Sequence, residues 1–405
     1  MKIWYIHNYT MLPEHGTLNR GYYLGKYWKK LGHEPIVFTG SHPHNTDLQL
    51  IEDNSPFKVY QKKPFPWVLI KTRNYGKSKK QQILSMLEFC KNTKKAVKRL
   101  QRPDVIVGSS AHPLAALLAI QLAKKYKCKS VVEIRDLWPE SIVAYGILPK
   151  NNPIIKLMYL LEKYLYVHAD EINFTMAGGY DYIIDKGWED VIPKSKVHNI
   201  NNGIDLELFE NNRETYKYND PDLDNPEKFC VIYTGAIKMA NNIGILLDVA
   251  KKITNSNVVI MLFGDGDQLD ELKKRVKEEK IDNVRLMGRV EKKYIPSILE
   301  KGDLDFIHLD ASGLLKYGLS LNKMFDYFAS GSPVLISGAA DYSPVKEFNA
   351  GTELEKADAK MIADEIERYS LLSKEAMNAY RENALKAAQA FSYENLARDY
   401  AEFMG

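Results

Sequence analysis

The chain of 405 residues contains little cysteine and no long apolar run. Its three cysteines (Cys90, Cys128 and Cys230) are odd in number and far apart, which excludes a disulfide framework and a zinc spacing. We therefore expect a reducing, cytoplasmic setting. The first residues turn polar too early for a signal peptide. No run approaches the roughly 18 apolar residues that span a bilayer, so we expect a protein that is soluble or lies on a surface.

The chain also lacks a strong excess of charge of either sign. A net charge of +4 does not indicate nucleic-acid binding, which requires a clustered basic face. The Gly-x-Gly-x-x-Gly fingerprint of dinucleotide enzymes is absent as well. Apolar residues make up 45% of the chain and charged residues 27%, which is typical of a globular protein. The length fits two domains of roughly 100–200 residues each.

Short β-rich runs alternate with helical patterns throughout, which predicts βαβ units and parallel sheets. The first set of runs extends from a strand at 3–6 to one at 197–200, and 40–76 is predicted to be irregular. A second set begins at 229, and helical material covers about 358–405. We predict two Rossmann-like, doubly wound α/β domains that face each other across a cleft. Their predicted bounds are 1–210 and 229–380, with a linker at 211–228 and a C-terminal helix at 381–405 for which a return to the first domain is left open.

The most informative motif extends from Lys316 to Val334. A loop containing Gly318, Leu319 and Ser320 precedes an apolar-periodic segment, and Ser320 is placed to cap the helix that this segment predicts. The start of a helix presents unpaired N–H groups and the positive end of the helix dipole. The motif therefore predicts a phosphate-binding helix start.

Three polar side chains follow in the same helix. Asn322 and Lys323 lie in its first turn, and Asp326 is three to four residues further on, so the three share one face. This places a cation and a hydroxyl-accepting carboxylate beside the predicted phosphate site. An ordinary helix with a solvated lysine and aspartate is the alternative.

The other candidates each follow a predicted strand, where ligands bind in doubly wound folds. Arg135 offers fork-like donors for a phosphate or sugar, and Asn241 is predicted to cap a helix. We reject Asp303 and Asp305 as a metal site because they lie at the opposite, entry end of their strand. The full set is Gly16 and Thr17, His112, Arg135, Asp136 and Trp138, Gly235, Lys238 and Asn241, and Gly266.

Taken together, these motifs resemble the GT-B glycosyltransferases of the large family 4, in particular a bacterial polysaccharide branch that includes N-acetyl-fucosamine transferases. The resemblance extends over almost the whole chain. The chain departs from the family where relatives carry an arginine and a lysine after the equivalent of Gly235. It also has Gly318 where the family's Glu-x₇-Glu pattern has its first glutamate. The motifs that carry the resemblance are 13–16, 32–34, 67–75, 109–113, 133–141, 202–205, 233–241, 264–266, 283–284 and 316–334.

The resemblance implies a UDP-sugar donor, held mainly by the second domain, with neither a metal nor a further cofactor. Asp326 would accept the ribose hydroxyls, and the helix start at Asn322 would meet the diphosphate. The implied donor-binding residues are Gly16, Thr17, Gly235, Asn241, Gly266, Arg289, Gly318, Leu319, Ser320, Asn322 and Asp326. The implied catalytic residues are Lys323, Arg135, Asp136 and Lys238, and the implied acceptor-binding residues are His112, Trp138, Lys71 and Arg73.

The implied function is retaining transfer of a sugar, an N-acetylated or deoxy hexose, to a lipid-linked or polysaccharide acceptor in bacterial surface glycan synthesis. The acceptor would lie on the first domain. The aromatic and basic stretches 64–80 and 91–102 fit an anionic membrane surface, and a solvated basic helix is the alternative reading. A nucleotide-sugar 2-epimerase and a non-catalytic nucleotide-sugar-binding subunit remain open.

Overall fold

The computed structural model describes residues 1–16, 19–44, 46–61, 64–76, 78–110, 112–309, 313–355 and 358–405. The chain divides into two compact units. Unit 1 comprises 1–201 together with 393–405, and unit 2 comprises 202–392. The first boundary therefore lies before the predicted residue 210, and the last helix belongs to unit 1.

Strands and helices alternate along most of the chain. The strands are β1 (Lys2–Ile6), β2 (Glu34–Gly40), β3 (Phe57–Tyr60), β4 (Trp67–Ile70), β5 (Val105–Ser109), β6 (Lys129–Ile134), β7 (Glu171–Phe174), β8 (Val197–Asn199), β9 (Phe229–Thr234), β10 (Val258–Phe263), β11 (Val284–Gly288), β12 (Leu304–His308), β13 (Val334–Ser337) and β14 (Gly351–Leu354). The helices are α1 (Arg20–Lys30), α2 (Lys79–Ala96), α3 (Pro113–Tyr126), α4 (Glu140–Ala144), α5 (Pro153–His168), α6 (Gly179–Asp185), α7 (Leu206–Thr215), α8 (Ile245–Ala250), α9 (Leu269–Glu278), α10 (Ile295–Glu300), α11 (Asn322–Ser330), α12 (Pro344–Glu347), α13 (Ala359–Ser370), α14 (Lys374–Ala390) and α15 (Tyr393–Met404).

The sheet of unit 1 has the order β3-β4-β2-β1-β5-β6-β7-β8. Neighbouring strands pair in parallel except β3 and β4. The central strands are buried along almost their whole length, as expected for a sheet covered on both faces. The order of strands reverses between β1 and β5, so the residues after these two strands flank the crevice where such folds bind ligands.

The sheet of unit 2 is parallel throughout, with the order β11-β10-β9-β12-β13-β14. Its strand order reverses between β9 and β12, which places its ligand crevice beside the residue that follows Thr234. The prediction of two α/β units built on parallel sheets is confirmed.

The last helix completes the core of unit 1. Helix α15 packs along α1, where the indole N–H of the fully buried Trp28 donates to the carbonyl of Ala397 at 3.1 Å. Tyr400 packs edge-on against the same indole ring at 5.4 Å. Lys129 on β6 also donates to the carbonyl of Gly405 at 2.8 Å.

Two segments differ from the prediction. The segment 211–228, predicted as a linker, begins inside α7, because Asp205 caps that helix through the N–H of Leu208 at 3.3 Å and Phe209 is buried. The segment 40–76, predicted to be irregular, contains β3 and β4. These strands pair with each other, and β4 also pairs with β2, so tertiary pairing defines them rather than a strong local pattern.

Candidate functional site

In unit 2, loops that follow neighbouring strands pack backbone against backbone at the sheet's carboxyl edge. Gly235, directly after β9, has φ 148°, a region that favours glycine. A Cβ on Gly264 would lie 1.7 Å from the Gly235 carbonyl oxygen, and one on Gly266 would lie 2.1 Å from the Ile237 carbonyl oxygen. Gly266 was predicted to bind the donor. The structure shows that a side chain at this position would also clash with the backbone of the neighbouring loop.

Helix α11 begins beside this edge without a capping side chain. The residue before it, Leu321, is extended (φ −89°, ψ 118°) and makes no side-chain cap. The prediction that Ser320 caps the helix is wrong, because the extended Leu321 separates it from the first turn. The carbonyl of Ser320 accepts from Asn202 at 3.0 Å. Its buried hydroxyl has no hydrogen-bond partner in the part of the chain that the structure describes.

Lys323 extends from the first turn of α11 to the loop after β9. Its ammonium lies 4.1 Å from the ring centroid of Tyr233, and a Cβ on Gly235 would lie 2.7 Å from its Nζ. Burial lowers the pKa of Lys323 from 10.5 to about 7, because removal from water disfavours the charged form. A bound anion would reverse this effect.

Asp326 lies one turn further along α11 and is half-buried. Burial raises the pKa of its carboxyl group, and the charge of Lys292 opposes the shift. Within the described ranges its carboxylate forms no hydrogen bond or ion pair, so its acceptor capacity is free for a ligand.

The remaining unit 2 candidates differ in accessibility. The prediction that Asn241 caps a helix is wrong, because α8 begins after Gly244 without a side-chain cap. The amide of Asn241 instead donates back to the Ala236 carbonyl at 2.6 Å. Arg289 and Lys238 are exposed. Gly318 has φ 103°, and the side chain of Leu319 is buried, so Leu319 can offer a ligand only its backbone.

In unit 1, the segments after β5 and β6 contain buried polar groups that lack partners. They are the hydroxyl of Ser110, both ring nitrogens of His112 and the indole N–H of Trp138, a statement that covers the described residues only. Burial lowers the pKa of His112 to about 4, so the ring is neutral. Unpaired buried polar groups are costly, and their presence at the crevice marks it as a candidate binding site.

Arg135 and His7 meet at the same edge, at a distance of 3.5 Å between Nη1 and Nε2. The N–H of Tyr9 donates to Nδ1 of His7 at 3.1 Å, so a neutral ring carries its proton on Nε2. Burial, followed by the charge of Arg135, lowers the pKa of His7 to about 3. The guanidinium of Arg135 and the Nε2–H of His7 are therefore two hydrogen-bond donors at this edge. Asp136, the residue after Arg135, is exposed.

An ion pair lies beneath this edge. Arg20 contacts Glu133 at 2.9 Å, and the carboxylate also accepts from Tyr5 at 2.6 Å and Ser109 at 2.9 Å. Burial alone would raise the pKa of Glu133, but the charges of Arg20 and Arg135 lower it to about 2. These residues form a buried network of hydrogen bonds beneath the candidate site.

Three further predictions concern unit 1. Lys71 and Arg73, predicted to bind the acceptor, have partners within the unit, namely the Asp53 carbonyl for Lys71 and Glu88 at 2.6 Å for Arg73. They follow β4, which is two strands away from the reversal point. Gly16 lies against Met11, whose sulfur would be 2.1 Å from an added Cβ. Thr17 lies outside the described residues.

Two family models match the chain in succession. The model described as Glycosyltransferase Family 4 matches residues 16–208, and the one described as Glycosyl transferases group 1 matches residues 228–370. The chain belongs to the GT-B glycosyltransferases. It is 25% identical over 198 residues to the probable glycosyltransferase WbjE of Pseudomonas aeruginosa, a match that spans 48% of this chain and 48% of that protein. The chain thus spans about half the length of this curated relative.

Solved structures of GT-B proteins cover the chain more fully. The sucrose-phosphate synthase of Thermosynechococcus elongatus has a TM-score of 0.70 at 18% identity and covers 99% of this chain and 98% of its own. HepE of Anabaena, solved in complex with UDP and glucose, has a TM-score of 0.67 at 14% identity and covers 100% and 99%. At such identities these likenesses show the fold.

Sequence reasoning about this GT-B chain missed His7 and Ser110 as site residues. Both follow strands that flank the reversal point of unit 1, and this position is the signal that would have found them once the strand order was known. In the described part of the chain, no helix has the length and apolar character needed to cross a bilayer.

Proposed function

We propose that the chain is a retaining glycosyltransferase that moves a sugar from a UDP-sugar to a lipid-linked or polysaccharide acceptor. The observation that carries the proposal is the uncapped start of α11, with Lys323 against the loop after β9 and Asp326 unpaired on the same helix. An anion at this helix start would gain N–H donors and the positive end of the dipole.

The donor would bind with its diphosphate at Asn322 and the Ser320 hydroxyl, and with its ribose hydroxyls on Asp326. The UDP bound by HepE, a protein of the same fold, supports the choice of nucleotide. A diphosphate beside Lys323 would raise the pKa of that lysine again, because an adjacent negative charge favours the ammonium. The exposed Arg289 and Lys238 would approach the donor from the neighbouring loops.

In the proposed reaction, an acceptor hydroxyl oxygen forms a bond to the anomeric carbon on the face from which the diphosphate leaves. The bond between that carbon and the diphosphate oxygen breaks with its electron pair, and the departing oxygen takes the hydroxyl proton. No protein base is then required. Lys323 and the α11 dipole would stabilise the charge that develops on the leaving group, with Arg135 and Lys238 as further candidates. Asp136 would face the transferred sugar.

The acceptor would use the crevice of unit 1, where Ser110, His112 and Trp138 offer unpaired polar groups. We propose an N-acetylated or deoxy hexose as the transferred sugar, surface glycan synthesis as the setting and a reaction that is independent of metal. The resemblance to family 4 supports these choices.

Calorimetry with UDP and with uridine tests the donor site. We expect UDP to bind more tightly than uridine, because only UDP carries the diphosphate, and we expect Lys323→Ala to remove most of that difference. Lys252→Ala, which removes an exposed lysine just after α8, is the matched control for removal of a positive charge. Absence of binding heat with UDP would overturn the proposal.

A second assay separates transfer from the alternatives. The chain is incubated with UDP-N-acetylglucosamine alone, and the products are separated by chromatography. Slow release of UDP without a new UDP-sugar is expected of a transferase that lacks its acceptor. A 2-epimerized UDP-sugar would instead identify an epimerase, and an unchanged donor would favour a binding subunit.

A further inference from the structure

Helix α5 and the turn before it expose a stripe of large apolar side chains, which we call the α5 surface. Its members on the helix recur every three or four residues and therefore lie along one face. Such a continuous stripe differs from the single apolar residues that ordinary surfaces carry. The exposed fractions are 68% for Tyr145, 67% for Ile147, 61% for Ile154, 67% for Leu157, 67% for Leu160 and 44% for Tyr164.

The opposite face of α5 is fixed inside unit 1. Ile155, Leu165 and Tyr166 are buried, and the buried carboxyl group of Glu162 accepts from Tyr166 and Tyr182, each at 2.9 Å. The inner face therefore determines which way the helix is turned. The apolar stripe remains outward because the other side of the helix already forms part of the core.

The charge on the α5 surface has one sign. Between residues 145 and 168 the cations are Lys150, Lys156 and Lys163, and the only acid is Glu162, which is buried. Lys150 and Lys156 are exposed beside the apolar stripe. An apolar face bordered by lysines is typical of helices that lie in the interface of a membrane with anionic lipids.

The α5 surface is also the outer side of a wall of the unit 1 site. A cavity of about 20 Å³, roughly the space of one water molecule, is lined by Met158 and Glu162 of α5 together with Ser110, Asp136 and Trp138. A membrane in contact with the outer face of α5 would therefore lie one helix away from the candidate acceptor residues.

We propose that the α5 surface docks on an anionic lipid bilayer. The inference rests on the proposed function, because docking would serve to bring a lipid-linked acceptor to unit 1. It assigns the membrane contact to α5 rather than to the basic stretches 64–80 and 91–102. Those stretches include both ends of α2, whose exposed large apolar side chains, within the described residues, are Ile83 and Leu87.

The test compares matched double variants of the two helices by flotation with vesicles. The vesicles are phosphatidylcholine with or without phosphatidylglycerol, at low salt. We expect Leu157→Gln/Leu160→Gln to weaken binding to the anionic vesicles by about tenfold or more, since two leucines lose their insertion into the bilayer. Ile83→Gln/Leu87→Gln should bind as the wild type does.

A second pair of variants tests the charges. Lys150→Gln/Lys156→Gln should weaken binding to anionic vesicles by about fivefold per lysine, and Lys91→Gln/Lys95→Gln on α2 should not. Added salt should weaken binding of the wild type, because it screens exposed charges. Binding to neutral vesicles should be weaker than to anionic ones.

Absence of wild-type binding to anionic vesicles would overturn the inference. So would a loss confined to the α2 variants, equal losses in both pairs, or an α5 variant that dissociates an oligomer in solution while it still binds vesicles. Calorimetry with UDP on the same proteins separates the two proposals. Retained UDP binding without vesicle binding removes only the docking surface, whereas vesicle binding without UDP binding removes the proposed function.

Discussion

Replacement of Lys323 by methionine tests the donor site most directly. The ammonium lies over the ring of Tyr233, and burial lowers its pKa from 10.5 to about 7. In the ligand-free protein Lys323 is therefore charged below about pH 7 and increasingly neutral above it. A diphosphate binds the charged form, so binding above pH 7 must take up a proton.

The expected magnitude follows from that pKa. If only the charged lysine binds the diphosphate, the apparent Kd is multiplied by roughly 1.1 at pH 6 and by roughly 11 at pH 8 for a pKa of about 7. The affinity should thus fall about tenfold over this interval, or about 1.4 kcal/mol. Lys323→Met should remove the dependence and bind at pH 6 no more tightly than the wild type does at pH 8.

Calorimetry with UDP-N-acetylglucosamine measures this effect, because its esterified diphosphate does not itself titrate between pH 6 and pH 8. Buffers of different ionisation enthalpy would reveal the proton uptake at pH 8. Lys238→Met, which removes an exposed lysine near the same loop, should retain the slope. A wild-type Kd that stays level across this interval, or a slope that persists in Lys323→Met, would refute the reasoning.

Three further predictions concern the framework and the nucleotide site. Gly264→Ala should lower the free energy of unfolding by about 3 kcal/mol, measured in urea, because the new Cβ would meet the Gly235 carbonyl oxygen at 1.7 Å. Glu133→Gln should cost about 3–5 kcal/mol at pH 7, because it leaves the charge of Arg20 buried without a counterion. With a folded pKa of about 2 against an ordinary 4.5, the wild-type advantage is complete above pH 4.5 and disappears as the pH falls towards 2. Asp326→Asn should weaken UDP binding about tenfold by calorimetry and leave the melting temperature unchanged or higher, because a half-buried carboxylate is removed.

Each of these three predictions has an outcome that would contradict it, and the first has a control variant. Gly313→Ala should change stability by less than about 0.5 kcal/mol, since among the described residues no heavy atom other than those of its chain neighbours lies within 4 Å of its added Cβ. Equal stabilities for the Gly264 and Gly313 variants would contradict the proposed clash. A Glu133→Gln variant that loses as much stability on acidification as the wild type does would contradict the role given to the ion pair. Unchanged UDP affinity in Asp326→Asn would contradict the proposed contact with the ribose.

The sheets were predictable because their strands carry strong local patterns. The predicted strands at 3–6 and 197–200 agree within one residue with β1 and β8, and the second set begins at 229 with β9, as predicted, since apolar runs between turn residues indicate strands. One edge strand of each sheet was missed. Phe57–Tyr60 and Gly351–Leu354 are partly exposed, so their composition differs little from that of a loop and only their pairing partners define them.

The candidate site was predictable in position but not in detail. The motif from Lys316 to Val334 predicted a helix start at α11, yet Ser320 proved to be one residue too early to cap it. The lowered pKa of Lys323 comes from burial, and the residues against its ammonium include Tyr233 and Gly235, which are distant in sequence. The amide of Asn241 turns back to the Ala236 carbonyl, a choice that local spacing alone does not determine.

The position of α15 has a consequence for the way the protein is made. Residues 393–405 belong to unit 1 but leave the ribosome only after all of unit 2 has been translated. Until then the indole of Trp28 lacks its contacts with Ala397 and Tyr400, and the apolar surface of α1 that packs against α15 stays exposed to solvent. We expect the nascent first unit to persist as an unfinished intermediate during synthesis, and a gene fragment encoding 1–201 alone to yield an aggregation-prone product that a supplied α15 peptide would rescue.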